Sequence, residues 1–214
     1  MEVVLFFTLP LAYILGSIPT SVWLGKIMFG IDVREFGSGN AGATNTFRVL
    51  GKKPGFAVLL IDFLKGFAAS SLPIWFFYWV EPNSNKMINW QILHGAMAVL
   101  GHIYPVFAKF KGGKGIATLL GLAVSLSSYL AIVCVVLFVI MVWITKYISV
   151  GSMVAAATSP LVTYLLYGLQ KQSLLVFCSF AAVLVVYTHR SNIKRIRNRT
   201  ESKFTFNPKP LVSN

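Results

Sequence analysis

IATLLGLAVSLSSYLAIVCVVLFVIMVWI, residues 116–144, decides the fold. It runs for 29 residues without a charge. Wound as one α-helix it would reach about 43 Å, well beyond a hydrocarbon core of about 30 Å. The polar interruption Ser125-Leu126-Ser127-Ser128-Tyr129 predicts two shorter helices with a turn between them. One long tilted helix is the alternative.

Working outward, apolar runs predict further helices over 3–28, 54–80, 89–108, 149–167 and 173–188. Pro10 and Pro19 fall inside the first and are kink sites. Residues 81–88 (EPNSNKMI) and 168–172 read as turns. With the 116–144 run counted as two, the total is seven. Composition agrees: 56% of the chain is hydrophobic and 12% charged, where a soluble domain carries about twice that charged share. Mean hydropathy is +0.72. The expected fold is an all-α integral membrane protein of seven transmembrane helices, residues 1–214 forming one domain. Glu2 stands where a secretory signal would have a basic segment, so the first helix is expected to be retained.

The net charge of +13 comes from 19 Lys and Arg against 6 Asp and Glu. With seven helices, 16 of the 19 fall at one membrane face, Lys65 is intramembrane, and Lys86 and Lys171 remain opposite. The positive-inside rule then puts the N-terminus outside and the C-terminus in the cytoplasm. A six-helix count would break this sorting. The same basic excess suits anionic lipids or anionic substrates. Cys134 and Cys178 lie in apolar runs with no CxxC or Cys/His cluster, so both are expected to pack in the interior and no metal site is expected.

Three polar stretches share the basic face. The first is FGSGNAGATNTFR, Phe36 to Arg48. Its glycines leave backbone N–H groups free to face an anion, Ser38, Asn40, Thr44 and Asn45 can add hydrogen bonds, and Arg48 can grip phosphate through a two-pronged fork. The second is KFKGGKG, Lys109 to Gly115, in which Lys114 is a mobile point charge leading into a helix N-terminus. The third is His189-Arg190-Ser191-Asn192, with Asn192 one turn beyond His189. Alone, either glycine stretch is as well explained as a plain turn, and neither has nucleotide-loop spacing. His94, His102 and His189 are each candidate bases, with simple hydrogen bonding as the ordinary reading. No His-x4-Asp occurs: five residues after these histidines stand Val99, Phe107 and Lys194. Asp62 and Lys65, spaced i,i+3 inside a membrane segment, read equally as a neutralised pair or as functional groups. The basic tail from His189 reads as a lipid-contacting amphipathic helix, with Ile193 and Ile196 apolar, and not as a nucleic-acid binder.

Together the stretches resemble the PlsY family, membrane acyltransferases that acylate glycerol 3-phosphate from acyl-phosphate. The resemblance is carried by GSGNAGATNTFR (Gly37 to Arg48), GHIYPVFAKFKGGKGIAT (Gly101 to Thr118), and HRSNIKRI (His189 to Ile196) with Glu201 downstream. It departs at Ala41, where the family usually has proline, and at Arg199, where it usually has glycine. The resemblance implies seven helices, an active site facing the cytoplasm of a bacterial inner membrane, and Ser38, Arg48, Lys114, His189 and Asn192 as the essential polar set. Gly39, Asn40, Thr44, Asn45, Gly112, Gly113, Gly115 and Ser152 are the expected substrate contacts. It implies acyl-phosphate and glycerol 3-phosphate as substrates in the lipid bilayer, with no cofactor, no nucleic acid and no obligate protein partner. The rival expectation is a transporter of phosphorylated solutes. Transporters commonly carry internal repeats and broken midplane helices, neither of which is evident here.

Overall fold

The computed structural model describes residues 2–76, 84–205 and 211–212, and among these residues it is helical throughout, with no strand. The predicted first helix is two, α1 (Glu2–Gly16) and α2 (Thr20–Phe29). Pro10 is absorbed within α1, whereas Pro19, which lacks an N–H, sits at the break and opens α2. Residues 30–53, read from sequence as a loop, hold a 3-10 turn at Val33–Glu35 and a short helix α3 (Ala43–Leu50). Eight residues are too few for a clear periodic signal. The helix stands because Asn45, Thr46, Val49 and Leu50 are buried on one face.

Helix α4 (Lys52–Phe76) starts two residues earlier than expected, since Pro54 is harmless in a first turn. The expected residues 77–80 lie outside the described residues. Helix α5 (Asn85–Ile103) begins inside the stretch read as a turn, where Ser84 Oγ caps it by accepting the Met87 N–H at 3.2 Å. Residues 81–83 lie outside the described residues. Pro105 ends α5 earlier than the expected 108, and a 3-10 turn follows at Val106–Ala108.

The 116–144 run is α6 (Ile116–Leu126) and α7 (Ser128–Thr145), broken at Ser127 as the polar interruption predicts. Ser127 Oγ accepts the Leu130 N–H at 3.1 Å and pairs with the Tyr167 hydroxyl. Then come α8 (Ile148–Tyr167), α9 (Gln172–Thr188) and α10 (Arg190–Arg197), the last bent 53° from α9.

Among the described residues, four stretches are long and apolar enough to cross a membrane: 6–29, α4, α7 and α8. The bent α9–α10 pair makes a fifth. Seven crossings were expected. Helix α5 is long enough but carries Lys86, Gln91, His94 and His102, and α6, at 11 residues, reaches only about 16 Å.

Close backbone approach organises the bundle. A Cβ on Gly66 would fall 2.1 Å from Thr118 O, and one on Gly121 would fall 2.1 Å from Phe63 O, so α4 and α6 touch main chain to main chain. Near their ends sits an apolar core of Ile88, Leu122, Leu126, Leu130, Leu174 and Cys178. Cys178 is buried and Cys134 half-buried; both are free thiols. His94 is a packing histidine: its Nδ1–H donates to Trp90 O at 2.8 Å and Thr8 Oγ1 lies 2.8 Å from Nε2, tying α1 to α5. On α7, Tyr129, Ile132, Val136, Val139, Ile140 and Trp143 face outward, an apolar face suited to lipid.

Candidate active site

The first polar stretch is built around Asn45. Its Oδ1 accepts the Ser38 N–H at 2.8 Å and the Ser38 hydroxyl at 3.1 Å, while its Nδ2 donates to Val33 O at 2.8 Å and Phe36 O at 3.1 Å. Buried on α3, this amide fixes the turn that presents Ser38, and all its polar capacity is spent on the loop. Gly37 and Gly39 make the turn with φ of +62° and +72°. Asn40 Oδ1 is buried without a partner, and Thr44 is half-buried.

The second stretch folds back on the end of α5. The Gly112 and Gly113 N–H groups donate to Ile103 O and His102 O, both at 3.1 Å. Those two amides are therefore committed to the fold. Gly115, at φ +80°, turns the chain into α6, whose first-turn N–H groups have no partner within the helix. Arg34 joins the two stretches. It forks onto Asp32 at 2.9 and 2.7 Å and donates through Nη1 to Ala108 O at 2.9 Å and Lys111 O at 3.0 Å.

Lys114 links the second stretch to the third. Its ammonium donates to Asn192 Oδ1. Asn192 Nδ2 in turn donates to Glu201 Oε1 at 2.6 Å. Ser149, near the start of α8, donates to the same oxygen at 3.2 Å, and Arg195 Nε pairs with Glu201 Oε2 at 2.7 Å. Arg48 reaches the next residue, donating to Ser202 O at 3.3 Å. His189, buried where α9 meets α10, spends its Nδ1–H on Val185 O at 2.8 Å and has Lys114 in its field. A carbonyl can only accept, so the neutral ring keeps its lone pair on Nε2.

Charge follows this packing. Burial pushes the Lys114 ammonium down to about 8, the Glu201 carboxylate pulling it back up and Arg195 and Arg48 adding to the fall. Burial alone would raise Glu201. The bonds from Arg195 and Asn192, with the Arg195 charge and Ser149, hold its carboxyl below the usual range. The result is a half-enclosed basic site in which one carboxylate answers three cations, suited to a doubly charged phosphate.

Of the residues singled out from sequence, the structure brings Arg48, Lys114, His189 and Asn192 together. Ser38 belongs to the adjoining loop, coupled to them through Arg34 and through Ala41, whose carbonyl packs on Gly113. Ser152 lies one turn beyond Ser149 on α8, but its hydroxyl donates to Ile148 O at 3.0 Å in its own helix. Glu201, Ser149, Arg195 and Arg34 were not singled out as site residues. Glu201 had two signals: it is the single acid in a strongly basic tail, and it follows the third of the stretches that carry the family resemblance. Among the described residues no group of three or more His, Cys, Asp or Glu could hold a metal.

A family model described as glycerol-3-phosphate acyltransferase matches residues 6–199. Glycerol-3-phosphate acyltransferase 2 of Bacillus cereus is 45% identical over 198 residues, covering 92% of this chain and 94% of that one. The glycerol-3-phosphate acyltransferase of Chlorobaculum parvum is 40% identical over 220 residues, covering 91% and 94%. The crystal structure of PlsY (YgiH), described as an integral membrane glycerol 3-phosphate acyltransferase in its glycerol 3-phosphate form, superposes with a TM-score of 0.84 at 34% identity, over 94% of this chain and 96% of that one. Its lysophosphatidic acid form gives 0.82 at the same identity.

Proposed function

The chain belongs to the glycerol-3-phosphate acyltransferase (PlsY) family, and from that premise we propose that it moves a fatty acyl group from acyl-phosphate to the sn-1 hydroxyl of glycerol 3-phosphate, releasing phosphate and lysophosphatidic acid. The observation that carries the reading is the Lys114–Asn192–Glu201 junction, which joins the second and third polar stretches, with Arg48 of the first beside it. Two phosphate-bearing substrates need two anion grips. Arg48 and Lys114 hold glycerol 3-phosphate, and the Ser38 turn with the start of α6 holds the acyl-phosphate headgroup.

Acyl-phosphate is already activated, so positioning and charge stabilisation suffice. The glycerol oxygen forms a bond to the acyl carbon as the bond from that carbon to the phosphate oxygen breaks. The hydroxyl proton leaves on the departing phosphate. His189 Nε2 orients the hydroxyl and does not keep its proton, because imidazolium there would set a second buried cation against Lys114. The balance closes with neither a cofactor nor a metal. On this reading His189→Gln, whose amide can still accept, keeps kcat within about tenfold of wild type, whereas loss of a true general base costs about 10²–10⁴-fold. Single-turnover acyl transfer measures it, and a drop of the larger size would make His189 the base.

The pH profile carries a second expectation. Lys114 loses its proton as pH rises through about 8, so glycerol 3-phosphate affinity should fall above that pH. Lys114→Arg stays charged far beyond it, and its alkaline limb should vanish whatever its rate at neutral pH. Calorimetric titration from pH 6.5 to 9.5 tests both chains, and a limb shared by the two would remove Lys114 as its source.

The accompanying topology passes between the two faces seven times, through α1–α2, α4, α5, α6, α7, α8 and α9, of which α6 is shorter than the hydrocarbon core, with the N-terminus outside and the site facing the cytoplasm of a bacterial inner membrane. The sorting of 16 of 19 basic residues to that face supports it. Purified protein given acyl-phosphate and glycerol 3-phosphate should release phosphate one-to-one with lysophosphatidic acid. Solute uptake into vesicles without that product would favour the transporter instead.

A further inference from the structure

The second glycine loop rests on a buried ionic cluster. Asp62 and Lys65 of α4 and His102 of α5 are 2%, 6% and 6% exposed. Lys65 Nζ lies 2.9 Å from Asp62 Oδ1 and donates to Ile18 O at 2.9 Å. Thr20 Oγ1 donates to the same carboxylate oxygen at 3.0 Å. His102 Nδ1 stands 3.6 Å from that oxygen and has no hydrogen-bond partner. These groups border a small cavity that Ala41 of the first loop and Gly112 of the second also line. Ionisable side chains inside a membrane helix are costly, and an ion pair adds little stability there, so the cluster calls for a role beyond holding the fold.

Its position supplies one. His102 O accepts the Gly113 N–H, and the next carbonyl, Ile103 O, accepts that of Gly112. A Cβ on Gly113 would fall 2.3 Å from His102 Nε2 and 2.7 Å from Ala41 O. One edge of the His102 ring therefore faces the ion pair while the other supports the meeting point of both loops. The residue after Gly113 is Lys114. We propose that His102, steered by Asp62 and Lys65, is a positioning residue that sets the Gly112–Gly113 backbone and through it the place of Lys114, without touching substrate. Only the kinetic arm of the test rests on the acyl-transfer reading.

The experiment compares full-length His102→Leu and His102→Asn in lipid nanodiscs. Asparagine offers an N–H near the site of ring Nδ1; leucine offers volume alone. His102→Leu should speed amide hydrogen exchange in residues 111–116 about tenfold or more while the rest of α4 and α5 exchanges as in wild type, and His102→Asn should restore most of that protection. In turnover, His102→Leu should lower kcat about 10–100-fold, with any rise in the KM for glycerol 3-phosphate accompanying that loss, because Lys114 serves both. Unchanged loop exchange, or exchange raised equally along α4 and α5, would overturn the proposal, as would a raised KM at normal kcat. If His102→Leu does not fold, Asp62→Asn takes its place: faster loop exchange supports the proposal and wild-type exchange sinks it. Wild-type protein that makes no lysophosphatidic acid would refute acyl transfer, and the exchange result would still decide the role of His102.

Discussion

Lys114→Met lowers kcat/KM for glycerol 3-phosphate by about 10³-fold. The ammonium binds Asn192 directly and also sits in the fields of Glu201, Arg195 and Arg48. Methionine fills the space and removes the charge. Breaking a buried, hydrogen-bonded charge costs about 3–5 kcal/mol, and removing one preorganised donor to a developing anion costs about 10²–10³-fold. The loss should fall on kcat as well as KM, because the charge serves the phosphate in the ground state and the oxyanion in the transition state. Initial-rate phosphate release at pH 7 measures it. A loss confined to KM would limit Lys114 to substrate binding, and a loss under tenfold would remove it from the site.

Gly112→Ala is expected to cost about 10²-fold in kcat with the helices intact. Its new Cβ would fall 2.0 Å from His102 O, 2.5 Å from Pro105 Cδ and 2.8 Å from Ile103 O. All three are rigid, so the loop must move away, and Lys114 moves with it. A displacement of about 1 Å at a catalytic group is worth about that factor. Circular dichroism should report unchanged helix content, separating this outcome from misfolding. Activity within threefold of wild type would show that the loop can shift without disturbing Lys114.

Much of the bundle was legible because membrane helices advertise themselves by apolar length. The 116–144 run is too long for one crossing, and its serines mark the break at Ser127. Elements ruled by a few tertiary contacts were not. Helix α3 has eight residues and owes its place to one buried face. The first helix is two because of local backbone geometry at Pro19, which a kink and a break share in sequence. Within the site, Lys114, Arg48, His189 and Asn192 stood out as polar groups in polar stretches. Glu201 lies outside any helix, and its place at the centre of the hydrogen-bond network depends on how the tail returns to α8 and α10. Likewise i,i+3 spacing pairs Asp62 with Lys65, but the nearness of His102, 40 residues on in another helix, is purely tertiary.

The main-chain contact between α4 and α6 bears on how loss-of-function data for this protein should be interpreted. Gly66 and Gly121 have no room for even a methyl group, since the opposing atoms are backbone carbonyls that cannot turn aside. In a saturation library these positions would be as intolerant as Lys114, although neither glycine has a side chain to offer a substrate. A map of inactive variants would therefore overlay two patterns, one tracing the anion site and one tracing the seam between two helices. Only an assay that scores folded protein apart from turnover can separate them.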